Sequence, residues 1–254
     1  KGNRLLKNHG YNFEVIPYEK TILNTPTPLK DMGRFRHEAV AIDPITHIAY
    51  QTEDRNDGLI YRFIPNKKAN YSKGGQLQAM KFSNNPSIDT RNWEDQNIKL
   101  NQKHPIEWID LDEVDNTKDD LRIRGYNLGA SIFARPEGMW YHENYIYFTC
   151  TSGGKQKLGQ IWKYNIKENY VELFFESENK DTMEFCDNLT VTPWGDIIIC
   201  EDGKGMDRLI GIRQDGSTYI LAENILNNSE FAGANFSPDG TILFVNIFSP
   251  TKTI

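Results

Sequence analysis

A short pattern recurs four times along the 254 residues: an acidic or amide residue, a few apolar residues, a turn, then an aromatic-rich strand. It reads R-H-E-A-V-A-I-D-P from Arg36, R-P-E-G-M-W-Y from Arg135, C-D-N-L-T-V-T-P-W-G-D from Cys186 and A-G-A-N-F-S-P-D-G from Ala232. Repetition on this scale predicts an all-β chain folded as a β-propeller. After each turn comes a run of similar texture: Ile48–Asp54, Tyr145–Cys150, Ile197–Asp202 and Ile242–Asn246. Three of the four continue through a polar turn into a further strand, at Gly58, Gly159 and Arg208, which makes each unit a blade of antiparallel strands.

The last three repeats start at the spacing of a blade, about 40–50 residues. The first gap, from Glu38 to Glu137, is roughly twice that, so it holds either a diverged blade or a long insertion. We read residues 66–130 as an insertion in a single domain spanning 1–254, with one strand at Ile106–Leu111, an acidic stretch from Asp112 to Asp120 and a short helix near Leu121. About four blades are legible. A ring left short of blades exposes two sheet edges, and the chain starts without an initiator methionine or an apolar leader, so an N-terminal portion is expected to precede it.

No apolar run approaches membrane-spanning length. The net charge of −6 argues against a general nucleic-acid binder, which needs a basic face for phosphates, and favours cationic ligands or metals. Three cysteines, Cys150, Cys186 and Cys200, are too few for a disulfide framework; Cys150 and Cys200, at matching strand ends, read as small buried hydrophobes. His37 adjoins Glu38 and alternates to the opposite face, which packs it between blades. His9, His47, His104 and His142 show no metal-ligand spacing, and the chain has no nucleophile elbow, H-E-x-x-H or P-loop.

The innermost strand of every propeller blade lines a central channel, so matching positions in successive repeats converge on one axis. Glu38, Glu137 and Asp187 hold such positions. Carboxylates crowded together repel and bind protons unless cations neutralise them, and calcium, which takes several oxygen ligands, suits such a ring. Arg36 and Arg135 each lie two residues before a glutamate, on the same strand face. A plain ion pair explains that spacing; so does phosphate chemistry, in which a guanidinium fork beside a metal carboxylate binds two oxygens and stabilises developing charge.

Taken in order, R-F-R-H-E-A-V-A-I-D-P with T-E-D-R-N-D-G-L-I-Y-R-F, F-A-R-P-E-G, D-N-L-T-V-T-P-W-G-D with C-E-D-G, and F-A-G-A-N-F-S-P-D-G-T-I-L-F-V-N resemble the PhoX-type alkaline phosphatases over nearly the whole chain. The resemblance implies a six-bladed propeller holding calcium and a pair of irons, which hydrolyses phosphate monoesters in the periplasm or outside the cell. It implies metal-binding roles for Glu38 and Glu137, with Asp187 as a third ligand, and a phosphate contact for Arg135. Arg36, Glu53, Asp54, Arg55, Asn188 and Glu201 are candidates for ligation or for orienting the ligands, as is Asp202 unless solvent alone explains it. The family's iron-binding cysteine sits in an N-C-x-G-G motif that this chain lacks. Cys186, before a T-P-W-G segment of a later repeat, is an alternative iron ligand out of register with that motif. Iron therefore depends on the expected upstream portion. The partners expected are a small phosphate ester and no nucleic acid, with the chain a monomer.

Two other readings keep the propeller. A calcium-dependent lactonase or organophosphate hydrolase would use Glu137, Asn188 and Asp187 around calcium. A non-catalytic platform would hold structural calcium and have no need of Arg36 or Arg135.

Overall fold

A computed structural model describes residues 8–15 and 26–254. The strands β1 (His37–Ile42), β2 (Ala49–Glu53), β3 (Ile60–Pro65) and β4 (Gly75–Phe82) form an antiparallel meander. Then β5 (His104–Asp110) adds to the outer edge of β4, and the helix α1 (Leu121–Asn127) comes next. A second meander runs through β6 (Pro136–His142), β7 (Tyr145–Cys150), β8 (Gln160–Asn165) and β9 (Tyr170–Glu176). A third comprises β10 (Cys186–Val191), β11 (Ile197–Glu201), β12 (Arg208–Ile212) and β13 (Thr218–Glu223). The last has three strands, β14 (Phe231–Phe236), β15 (Leu243–Ile247) and β16 (Lys252–Thr253).

The first strands stand side by side: β1 packs on β6, β6 on β10, and β10 on β14. The long first gap therefore contains no further first strand among the described residues. Of residues 66–130, Gly75–Phe82 is the fourth strand of the first meander rather than inserted chain. Its backbone completes a ladder that the polar Asn66–Gln78 stretch conceals. Strand β5 reaches outward: it pairs with β4 from Gln78↔Asp110 to Phe82↔Ile106, and with β9 through His104↔Val171 and Pro105↔Tyr170. It thereby fuses the first two meanders into one nine-stranded sheet.

Packing between meanders explains the continuous apolar runs. Side chains alternate across a strand, and in β11 Ile197 and Ile199 enter the cluster shared with the second meander, while Ile198 and Cys200 enter the cluster shared with the fourth. Both faces of the strand are covered, so no polar alternation is possible. Between the first two meanders the core is aromatic: Trp162 lies parallel to Phe148 at 6.1 Å and edge-on to Phe133 at 5.3 Å, all fully buried. His37 stacks on Phe35 at 3.6 Å, with Nε2 3.1 Å from the Gly33 carbonyl, and burial lowers it to about 4, which keeps it neutral. No helix among the described residues is long and apolar enough to cross a membrane. Trp162→Ala should cost about 3–5 kcal/mol, the range for truncating a buried aromatic, read as a lowered urea midpoint with the slope of the transition nearly unchanged.

Candidate metal centre

Each first strand carries a one-residue bulge at the same place. The register slips between His37 and Val40 in β1, between Pro136 and Met139 in β6, between Cys186 and Asn188 in β10, and between Ala232 and Asn235 in β14. Glu38, Glu137, Asp187 and Gly233 fall in these bulges, where an extra residue bends the strand and re-aims its side chain. Gly138 shows how close the strands come there: a Cβ on it would sit 2.7 Å from the Asp187 carbonyl and 2.8 Å from the Leu189 nitrogen. The glycine of the R-P-E-G motif is thus a condition of β6 and β10 meeting.

Backbone hydrogen bonds repeat at the mouths of the meanders and fix the correspondence. Asp54 N–H donates to Arg36 O, Thr151 N–H to Arg135 O, Asp202 N–H to Phe185 O and Phe248 N–H to Glu230 O. Arg36, Arg135, Phe185 and Glu230 are therefore equivalent, as are Asp54, Thr151, Asp202 and Phe248. Threonine hydroxyls join one meander to the next: Thr52 donates to the Glu137 carbonyl at 2.6 Å and Thr149 to the Asp187 carbonyl at 2.8 Å.

These positions gather carboxylates. Oxygens of Asp187, Asp202 and Glu230 lie within 4.8 Å of one another. Burial, then the charges of Asp202 and Asp187, pushes Glu230 up to about 7. Burial and Asp187 likewise raise Glu137 and Asp202, and burial with Asp187 and Asp54 raises Glu38 against the pull of Arg36 and Arg135. Asp187 is the charge common to all four shifts. Glu137 is buried, while Glu38 and Asp202 open to solvent.

Arg135 is laid into this cluster. Its Nε donates to Asp54 at 2.8 Å and its Nη2 to Glu137, whose other oxygen accepts from Thr151. Its φ of +51° is in the left-handed region, uncommon for a non-glycine residue and disfavoured before a proline such as Pro136. Phe185, at the equivalent place in the third meander, has a φ of +50°, so the conformation belongs to this entry to the first strand, and the two carboxylates then clasp the guanidinium. Arg36 is held more loosely, 3.5 Å from Asp54. A groove of about 390 Å³ beside them is lined by Arg36, Arg55, Arg122 and Arg135 together with Asp54 and Asp57.

Other candidates stand behind the cluster. Glu53, fully buried, accepts from Tyr61 Oη at 2.6 Å and faces Arg122 at 4.0 Å; burial raises it to about 7. Glu201, at the same register in the third meander, is clasped by Arg208 at 2.7 and 2.8 Å and accepts from Glu184 N–H. Arg55 pairs with Asp119 at 2.6 Å. Asn188 is half-buried opposite Cys200. Cys186 lies in the apolar core with its Sγ 3.5 Å from the Gln160 carbonyl, and burial pushes its thiol far up, so it stays protonated. All three cysteines are free and buried.

Glu230 escapes a reading of the repeat motif because it precedes the fourth motif, whose bulge holds Gly233 in place of an acid. Its signal is positional: it occupies the place that Arg36 and Arg135 hold in the first two repeats. Arg208→Met should destabilise the fold by about 3–5 kcal/mol, since it strands the buried Glu201 charge; urea unfolding beside the double change with Glu201→Gln, which should recover part of that loss, checks it.

A sequence model of the family described as alkaline phosphatase PhoX matches residues 3–251. No curated protein matches the chain. Among solved structures, it is similar to Pseudomonas fluorescens PhoX in complex with vanadate, a transition state analogue, at 20% identity and a TM-score of 0.73, over 94% of this chain and 52% of that one. This chain thus spans about half the length of that protein and shares its fold. A looser similarity, at 12% identity and a TM-score of 0.39 over 89% of this chain and 70% of the other, is to selenomethionine-substituted virginiamycin B lyase from Staphylococcus aureus. With its motifs in family order and its length matched almost end to end, the chain belongs to the PhoX alkaline phosphatase family.

Proposed function

We propose that the four meanders are blades of a six-bladed propeller, and that the carboxylates at their mouths hold calcium for the hydrolysis of phosphate monoesters outside the cytoplasm. The observation that carries this reading is the convergence on Asp187: its oxygens lie within 4.8 Å of those of Asp202 and Glu230, its charge raises Glu38, Glu137, Asp202 and Glu230, and Arg135 is hydrogen-bonded among them. A structural ion-pair network would balance its charges, as the buried Glu201 and Arg208 do. Here the acids exceed the bases, which is the state of a site that expects cations. The location rests on family resemblance, and a monomer is the simplest state.

The donors are all oxygen, which fits calcium, a hard ion bound by six to eight such ligands. Asp187, Asp202 and Glu230 would hold it, with Glu38 and Glu137 beside them. Bound there, calcium supplies positive charge that offsets the carboxylates and draws phosphate oxygens. Iron, implied by the resemblance, finds no nitrogen or sulfur donor in this cluster among the described residues, and Cys186 keeps its proton within the core. We assign it no role.

The chain's own residues do the positioning. Arg135, oriented by Asp54 and Glu137, presents its remaining N–H groups to the non-bridging oxygens and stabilises charge as it builds on them. Arg36, only weakly tethered to Asp54, is free to swing toward the same oxygens. Thr151 fixes Glu137 by donating to its second oxygen.

Arg135→Lys keeps the charge but loses the planar fork. It should lower kcat/KM on 4-nitrophenyl phosphate about 10²–10³-fold, the effect of losing one charge-stabilising donor; turnover at the wild-type level would end this reading. Calcium affinity should rise between pH 6 and pH 8, because Glu230, pushed up to about 7, must shed its proton before it can ligate. Calorimetric titration with calcium at both pH values checks this, and Glu230→Gln should weaken binding and flatten the dependence.

A further inference from the structure

Beside the arginine groove lies a second cavity, of about 680 Å³, that the hydrolytic chemistry above does not use. The two share Arg36 and Arg55. Three arginines line it, Arg34, Arg36 and Arg55, against one carboxylate, Asp119, which Arg55 and Arg122 already engage at 2.6 and 3.4 Å. In a chain of net charge −6, this is a concave surface with cations in excess. Arg34 forms no ion pair within 4.0 Å among the described residues; its Nη1 donates to the Asn116 carbonyl at 3.4 Å, and its charge helps to lower the nearby Asp115, which Lys30 engages. Aromatic rings of Tyr11 and Phe35 complete the walls.

Three buried nitrogens among the lining residues lack a hydrogen-bond partner within the described residues: Arg34 Nε, Arg55 Nε and His37 Nδ1. His37 Nε2 faces the Gly33 carbonyl and must donate to it, which leaves a lone pair on Nδ1. The cavity thus presents the guanidinium groups of Arg34, Arg36 and Arg55 beside aromatic walls.

Resting on the phosphatase reading, we propose that this cavity receives the alcohol portion of the ester and selects alcohols that carry an anionic group of their own, a carboxylate or a second phosphate, against Arg34. The phosphoryl group bound at Arg135 would leave the rest of the molecule lying over Arg36 and Arg55 toward Arg34, with any flat apolar part on Phe35. Arg34 is then a specificity residue, apart from the reacting atoms.

The test uses the full chain with calcium and a matched pair of esters, phenyl phosphate and 4-carboxyphenyl phosphate, with phenyl 1,4-bisphosphate as the second anionic arm. In the wild type, kcat/KM should favour at least one charged ester over phenyl phosphate by about tenfold or more, the range of one charge-assisted hydrogen bond. Arg34→Met should bring that ratio close to one, and Arg34→Lys should restore part of it. Which arm gains distinguishes a carboxylate from a phosphate. Calorimetric binding of phenylphosphonate and 4-carboxyphenylphosphonate, which cannot be hydrolysed, separates the two ideas: no turnover of any ester overturns the phosphatase reading, while a preference for the charged phosphonate lost in Arg34→Met still upholds the cavity. Equal affinities and equal rates in the wild type, or a preference that survives Arg34→Met in a protein that melts normally, overturns it.

Discussion

Mutual repulsion among carboxylates is the interaction around which the centre is built. Four neighbouring strands each give up one rung of their ladder at the same height, and three of them place an acid there. Bringing like charges together opposes folding, so the strands need other reasons to meet. Threonine hydroxyls donating to the backbone of the next meander supply one, and the missing side chain of Gly138 removes the steric obstacle. Aromatic and aliphatic packing between the meanders supplies the rest. These contacts engage the acids through their backbone and leave their carboxylates out.

The same design appears one layer out. Two of the second strands end in a Glu-Asp pair, Glu53-Asp54 and Glu201-Asp202. The glutamate turns into the fold and is neutralised at once, by Tyr61 and Arg122 or by Arg208. The aspartate comes to the mouth and meets the next meander, Arg135 in one case and Glu230 in the other. Alternation along a strand thus sorts two adjacent acids into different trades: one ties the sheet together, the other faces the neighbouring meander.

How much of this is legible in the sequence depends on whether the signal is local. The repeat motifs disclose the strands, the bulged acids and Arg135, because each falls inside a recurring phrase. The fourth strand of the first meander is hidden: Gly75 to Gln78 is polar where the other outer strands are not, and its ladder is a backbone property. Glu230 is equally hidden, since equivalence to Arg36 is defined by a hydrogen bond to Phe248 rather than by residue type. The pairing of β5 with β9 joins residues more than 60 positions apart, for which a single sequence carries no mark. The family resemblance, by contrast, rests on ordered motifs and leads to the right assignment without any of these.

The strand β5 has a mechanical consequence. It laces the outer edges of the first two meanders with ladder hydrogen bonds, while the seam between the second and third is closed, among the described residues, by side-chain packing, threonine stitches and a lone backbone bond from Phe185 N–H to the Leu158 carbonyl, with no shared ladder. Main-chain rungs at the periphery act at the longest lever arm from the centre and resist a wedge-like parting most strongly. The two seams are therefore a stiff joint and a compliant one, and Asp187 sits on the compliant side. Thermal opening of the molecule would begin there, so that the carboxylate common to every shifted acid moves with the part of the molecule that yields first.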